Sequence, residues 1–260
     1  MGKVKKLAWL NFIFFTIACA VANISQLKIF NGQTNADVSN RYPTAFTPAG
    51  FTFAIWGLIY LSLFGFTIFH LLKAYREEEQ SEANQALSKI GNLFIINNIA
   101  TTFWVFAFDD EYLLASVILI VIQLITLLLI FIRLELFDRD KSFKNKLFTQ
   151  FPLSIYFAWL CVANVANIAL YLVSIGWDGA PLSGDIWAAA LIVIVFLLAL
   201  FIVLKKHNVF FGLVVLWAVY GILKNHMSFG ATWDITSSVC SFVLGALGVA
   251  VLWKITKSIK

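Results

Sequence analysis

The chain has 260 residues, of which 61% are hydrophobic and only 13% charged, with a formal net charge of +5. A water-soluble domain is nearer half apolar and a quarter charged, so this composition excludes an ordinary soluble fold and places most of the chain in lipid. The positive charge falls in short clusters between apolar runs, a pattern that sets membrane topology and excludes a nucleic-acid surface.

A helix crossing the hydrocarbon needs roughly 20 apolar residues. The first candidate follows Lys3, Lys5 and Lys6 and runs apolar from Leu7 to about Ile24. Its length predicts a retained crossing rather than a cleaved signal peptide. Residues 25–47 are polar and turn-rich, too polar to span, and longer than a plain connection needs to be. Pro43 and Pro48 then lead into a second helix over about Ala49–Leu72, with Pro48 suited to its start because its missing N–H would be unpaired there anyway. Phe53, Trp56 and Tyr60 share one face of that helix, as a packing seam or the wall of an aromatic pocket.

Charged residues from Lys73 to Lys89 read as a hairpin connection. Helix 3, about Ile90–Phe108, is the most polar crossing, and Asn97, Thr101 and Trp104 lie on one face. Amides are costly in lipid, so this face should point into the bundle or a cavity. Helix 4, Leu113 to about Ile132, is aliphatic apart from Gln123 and reads as a lipid-facing wall. A basic loop with Arg133, Arg139, Lys141, Lys144 and Lys146 follows. In helix 5, Pro152, Tyr156, Trp159, Ala163 and Asn167 form a single stripe, with Asn164 on the adjacent flank. Helices 6, 7 and 8 are expected over about Asp185–Leu204, Val209–Leu223 and Thr232–Trp253. The last has Ser237, Ser241 and Gly245 at four-residue spacing, a small-residue seam that permits close helix contact and leaves room for a homodimer.

Eight crossings give an all-α polytopic bundle. Positive clusters lie at the N-terminus, in the 2–3, 4–5 and 6–7 loops and at the C-terminus, which predicts both termini in the cytoplasm of a multi-pass cell-membrane protein. Cys19, Cys161 and Cys240 are isolated within apolar runs, without metal-ligand spacing. His70, His207 and His226 sit at helix ends, where capping or interfacial roles are expected. Lys224 and Asp234 flank the short turn between helices 7 and 8. No residue set reads as a hydrolytic triad, a metal site or a phosphate loop, so the chain is expected not to be an enzyme and to need no metal. Trp9, Trp177, Trp187, Trp233 and Trp253 fall near helix ends, as in interfacial aromatic belts, whereas Trp56, Trp104 and Trp159 lie further in.

Three segments together resemble the TspO/MBR family of tryptophan-rich sensory or translocator proteins. They are the Pro-rich loop leading into Thr52–Tyr60, the Asn97–Trp104 segment of helix 3, and Pro152–Trp159 with Asn164 in helix 5. The resemblance covers about residues 7–175, which implies a five-helix core over 1–175 and a three-helix membrane extension over 176–260. It implies binding of tetrapyrroles, porphyrin or haem entering as ligand rather than cofactor, or of sterols, in a pocket beneath the first loop. The matching wall positions are Trp56, Tyr60, Asn97, Trp104, Tyr156, Trp159 and Asn164, with Phe53 on the same helix face and Pro43, Phe46 and Pro48 in the lid. The loop departs from the family in holding no tryptophan between Trp9 and Trp56, Phe46 standing where an indole is expected, so a light-driven porphyrin-degrading activity is not implied. The expected function is a membrane binding protein or sensor for a planar hydrophobic ligand, with lipid and that ligand as its partners. The alternative is a secondary transporter of a small amphipathic solute, helices 6–8 completing the pathway.

Overall fold

The computed structural model describes residues 2–136, 141–228 and 234–259, so Arg139, Trp233 and the expected helix 8 start at Thr232 lie outside the described residues. Among them every regular element is helical: α1 (Lys3–Ser25), α2 (Asn35–Arg41), a 3-10 turn (Gly50–Ala54), α3 (Ile55–Arg76), α4 (Glu82–Ile90), α5 (Leu93–Asp109), α6 (Leu113–Leu134), α7 (Phe143–Asn145), a π turn (Lys146–Gln150), α8 (Phe151–Ser174), α9 (Gly184–Lys206), α10 (Val209–Ser228) and α11 (Ile235–Ile259). Among the described residues, seven helical segments are long and apolar enough to cross a membrane, and α4 with α5 makes an eighth if that bent pair is one span. Seven of the eight expected crossings are therefore matched by candidate spans, and the place of the third is taken by the bent α4–α5 pair.

The break has a local cause. Residues 73–89, expected to be a hairpin connection, contain α4, because Ala83, Ala86, Leu87 and Ile90 recur at helical spacing and are buried. Ser81 caps it by accepting from Asn84 N–H, and Gly91, at φ +56°, ends it. The chain then turns by 55° into α5. Helix 2 also begins differently from expectation. After Pro48 the chain makes the 3-10 turn over Gly50–Ala54 before the α-helix starts at Ile55.

The chain divides into two compact units. The first comprises residues 1–38 and 56–157. Here α1 packs on α4 and α5, and α5 packs on α6. Val4, Leu7, Ala8, Asn11, Phe15 and Ala18 form the buried stripe of α1. Phe94 of α5 meets Phe15 at 6.4 Å and Phe66 of α3 at 5.1 Å, so aromatic side chains knit three helices together.

The second unit comprises residues 39–55 and 158–260. In it α9, α10 and α11 pack on one another, and the 3-10 turn packs on α10. The segment leading into helix 2 thus belongs to the same unit as the last three helices.

Candidate functional site

The 44–52 segment is built by short-range hydrogen bonds. Thr47 N–H donates to Thr44 O at 3.0 Å, Thr44 N–H to Thr47 Oγ1 at 3.0 Å, and Phe46 N–H to Thr44 Oγ1 at 3.2 Å. This tight turn delivers Phe46 inward, where it is 2% exposed. Two threonines at this spacing make the turn without glycine, because their hydroxyls stand in for backbone partners.

Helix α10 then holds the segment. Ala49 N–H donates to Gly221 O at 3.0 Å, Asn225 Nδ2 to Thr47 O at 3.0 Å, and Trp217 Nε1 to Thr52 O at 2.9 Å. Phe51 meets the rings of Trp217 and Tyr220 at 5.4 and 5.9 Å. Nothing in the sequence spacing announces these tethers, because a side chain at 217 or 225 bonds to a backbone carbonyl about 170 positions away.

Beneath the turn lies a cavity of about 450 Å³. Its roof is Pro43, Thr44, Ala45 and Phe46. One wall is the face of α8 formed by Val165, Ile168, Ala169, Leu172 and Val173, at spacing i, i+3, i+4, i+7, i+8. Gly184, Trp187, Ala188 and Leu191 of α9 form the other, with the same periodicity. The α8–α9 connection closes the end with Trp177, Asp178 and Gly179. The indoles of Trp177 and Trp187 lie 5.7 Å apart, and Trp187 Nε1 donates to Gly179 O at 2.8 Å, so one ring is locked against its own loop. Gly179 sits at φ +92°, where a Cβ would come within 2.8 Å of Leu182 O; only glycine suits that turn. Among the described residues Asp178 is the single charged one in the lining. A mostly apolar, aromatic-walled cavity of this size falls within the range of small-molecule sites.

The expected site residues divide between the two units. Pro43 and Phe46 line the cavity. In the same unit Phe53 meets Trp159 edge-on at 6.2 Å, and Asn164 Nδ2 donates to Leu160 O of its own helix at 2.8 Å. Pro48 precedes the 3-10 turn.

In the first unit, Trp56 stacks on Tyr60 at 5.3 Å and meets Tyr156 edge-on at 6.1 Å, and Trp104 stacks on Phe108 at 4.9 Å. Tyr156 OH donates to Asn97 Oδ1 at 2.9 Å and lies 3.1 Å from Thr101 Oγ1. Thr101 Oγ1 lies 3.0 Å from Gln123 Oε1, while Asn97 Nδ2 donates to Gln123 O at 3.0 Å and Thr126 Oγ1 at 2.9 Å. These groups are all buried. The polar face of helix 3 therefore points into the bundle, as its amides require, and meets side chains of α6 and α8 there. Gln123 and Thr126, buried polar residues of the mostly aliphatic α6, are the partners this face meets.

Trp177, Trp187 and the C-terminal half of α8 line the cavity although sequence reasoning had not placed them there. Tryptophans near helix ends read equally well as belt residues, and an apolar face is the same whether it meets lipid, a neighbour or a ligand.

Comparison with known proteins gives one family. The family model described as TSPO-like protein matches residues 8–253, and so extends through the last three helices, beyond the 7–175 expected from motifs alone. No curated protein and no solved structure matches the chain. With a match over nearly its whole length and helices long enough to span a bilayer several times, this multi-pass membrane chain belongs to the TSPO-like protein family.

Proposed function

We propose that the chain is a non-enzymatic binding protein or sensor in the cell membrane, taking a flat apolar ligand into the cavity beneath residues 43–46. The observation that carries this reading is the pairing of an apolar cavity of about 450 Å³ with two convergent indoles, Trp177 and Trp187. Family membership supports a membrane ligand-binding or sensor role in general. A planar ligand would lie against the indoles, since aromatic faces bind flat π-systems and exclude water at once. The α10 tethers on Thr47, Ala49 and Thr52 would govern how the roof opens.

A tetrapyrrole fits this class, with one restriction from charge. Among the described residues the lining has an aspartate and no lysine or arginine, so a porphyrin's carboxylates would have to remain outside in water. The test is a fluorescence titration of detergent-purified protein with protoporphyrin IX and with etioporphyrin, the same type of macrocycle without carboxylates. Saturable tryptophan quenching, tighter for etioporphyrin and lost in Trp187→Leu but kept in Trp56→Leu, is the expected result. Quenching lost in Trp56→Leu and kept in Trp187→Leu would overturn the location.

The transporter reading keeps one observation in its favour, the 55° break between α4 and α5, since discontinuous helices are common in secondary transporters. Ligand-dependent flux into proteoliposomes would select it over binding alone.

A further inference from the structure

We propose that Asp185, His226 and Asp234 form a site for a divalent transition-metal cation, zinc in type, where the ends of α9, α10 and α11 converge. One ligand atom from each residue lies within 4.8 Å of the other two, and all three side chains are half-buried. The residues come from the first turn of α9, the last turn of α10 and the position just before α11. No spacing rule joins positions 185, 226 and 234; the fold alone brings them together.

The donor set determines the metal class. One imidazole nitrogen with two carboxylate oxygens suits zinc and its first-row neighbours, whereas calcium and magnesium prefer oxygen ligands throughout. With bonds of about 2.0–2.2 Å, tetrahedral ligand atoms stand roughly 3.4 Å apart. Small side-chain rotations bring atoms within 4.8 Å of one another to that spacing. Three protein ligands leave a fourth position for water, as in sites that are not closed cages.

Outer contacts hold the ligands in place. Asp234 Oδ1 accepts Ser237 N–H at 2.8 Å, capping α11 and leaving Oδ2 turned to His226 Nε2. Thr236 Oγ1 donates to Asp185 O at 3.2 Å and ties the starts of α9 and α11 together. A ligating carboxylate oriented by a second contact, as Asp234 is, is characteristic of metal sites. Charge points the same way. Two carboxylates share the cluster with one histidine, and Lys224, the nearest cation along α10, lies over the Tyr220 ring at 5.7 Å. A divalent ion balances the pair.

The site neighbours the cavity along the chain on both sides. Asp185 lies between Gly184 and Trp187, which line it, and His226 follows Asn225, whose amide holds Thr47 O. Metal binding thus fastens the helix ends that carry one cavity wall and the roof tether.

The test uses the full chain in detergent, stripped with EDTA and titrated with Zn²⁺, with Mg²⁺ as comparison, following metal content and thermal unfolding. The expected result is one Zn²⁺ per chain, a higher unfolding temperature with zinc and no effect of magnesium. Asp234→Asn keeps a good helix cap, so its loss of zinc with unchanged helicity separates ligation from folding. Asp234→Asn, His226→Ala and Asp185→Asn should each weaken zinc by at least the ~10–100-fold lost when outer-shell partners are removed. Stoichiometric uptake that is the same in wild type and all three variants, or no uptake by wild type, overturns the site. In either case His226 and Asp234 are a plain ion pair. Because the readout is zinc itself, this outcome is independent of porphyrin binding.

Discussion

At Gly221 the backbone of α10 meets Thr52, a buried residue of the 3-10 turn. A Cβ added at this glycine would overlap the Thr52 hydroxyl and methyl. Gly221→Ala should destabilise the protein by about 1–3 kcal/mol, the usual cost of overpacking, measured as a lower midpoint of thermal unfolding in detergent. Gly245, by contrast, has open space where a Cβ would go. Alanine there should not lower that midpoint and should raise it slightly, since glycine inside a helix costs about 0.5–1 kcal/mol relative to alanine. The Lys28–Asp37 ion pair, at 2.8 Å, spans the loop between α1 and α2. Lys28, aided by Thr34, holds the Asp37 carboxyl down at about 2. A depressed carboxyl stabilises the folded loop above its unfolded value of about 3.9 and loses that contribution as pH falls through the folded one. Amide protection in residues 34–41 should therefore be independent of pH down to about pH 4 and be lost between about pH 4 and 2, after correction for intrinsic rates. Salt should weaken the effect, because both side chains are exposed.

Elements show why part of the architecture was legible in sequence and part was not. Crossing helices announce themselves by length and hydropathy alone, and the amides of helix 3 had to be buried wherever the bundle placed them. What sequence could not give was their partner. Asn97 and Tyr156 suit a ligand pocket and an interhelical hydrogen-bond knot equally well, and the structure has them bonded to each other. Tyr156→Phe leaves Asn97 Oδ1 without that donor. It should cost about 1–3 kcal/mol in stability and leave ligand affinity unchanged, a contrast that unfolding and titration resolve together. The α4 helix was hidden for another reason: its polar composition masked four apolar positions at helical spacing. The 3-10 turn and the α10 tethers depend on long-range contacts that no local pattern encodes. Trp217→Phe keeps the ring against Phe51 and removes the N–H bonded to Thr52 O. Losing about 1.4 kcal/mol there would speed local opening roughly tenfold, read as faster amide exchange over residues 44–54.

On the scale of the whole chain, the family match through residue 253 changes the standing of the last three helices. They are part of what the family model recognises, and α10 holds the segment that roofs the cavity in its unit. With α4 and α5 counted as one span the candidate crossings are even in number; together with the basic loops, this supports our proposal that both termini lie in the cytoplasm. Cysteines placed at residues 3 and 257 in a cysteine-free background should both resist a membrane-impermeant thiol reagent in intact cells and react after permeabilisation. The most direct test of the account as a whole is photo-crosslinking with a diazirine-bearing flat apolar ligand, mapped by peptide mass spectrometry. The account predicts adducts on residues 43–46, 165–173 and 177–191, suppressed by excess etioporphyrin. Competable adducts confined to α3 near Trp56 and Tyr60, or to α5 near Trp104, would contradict it.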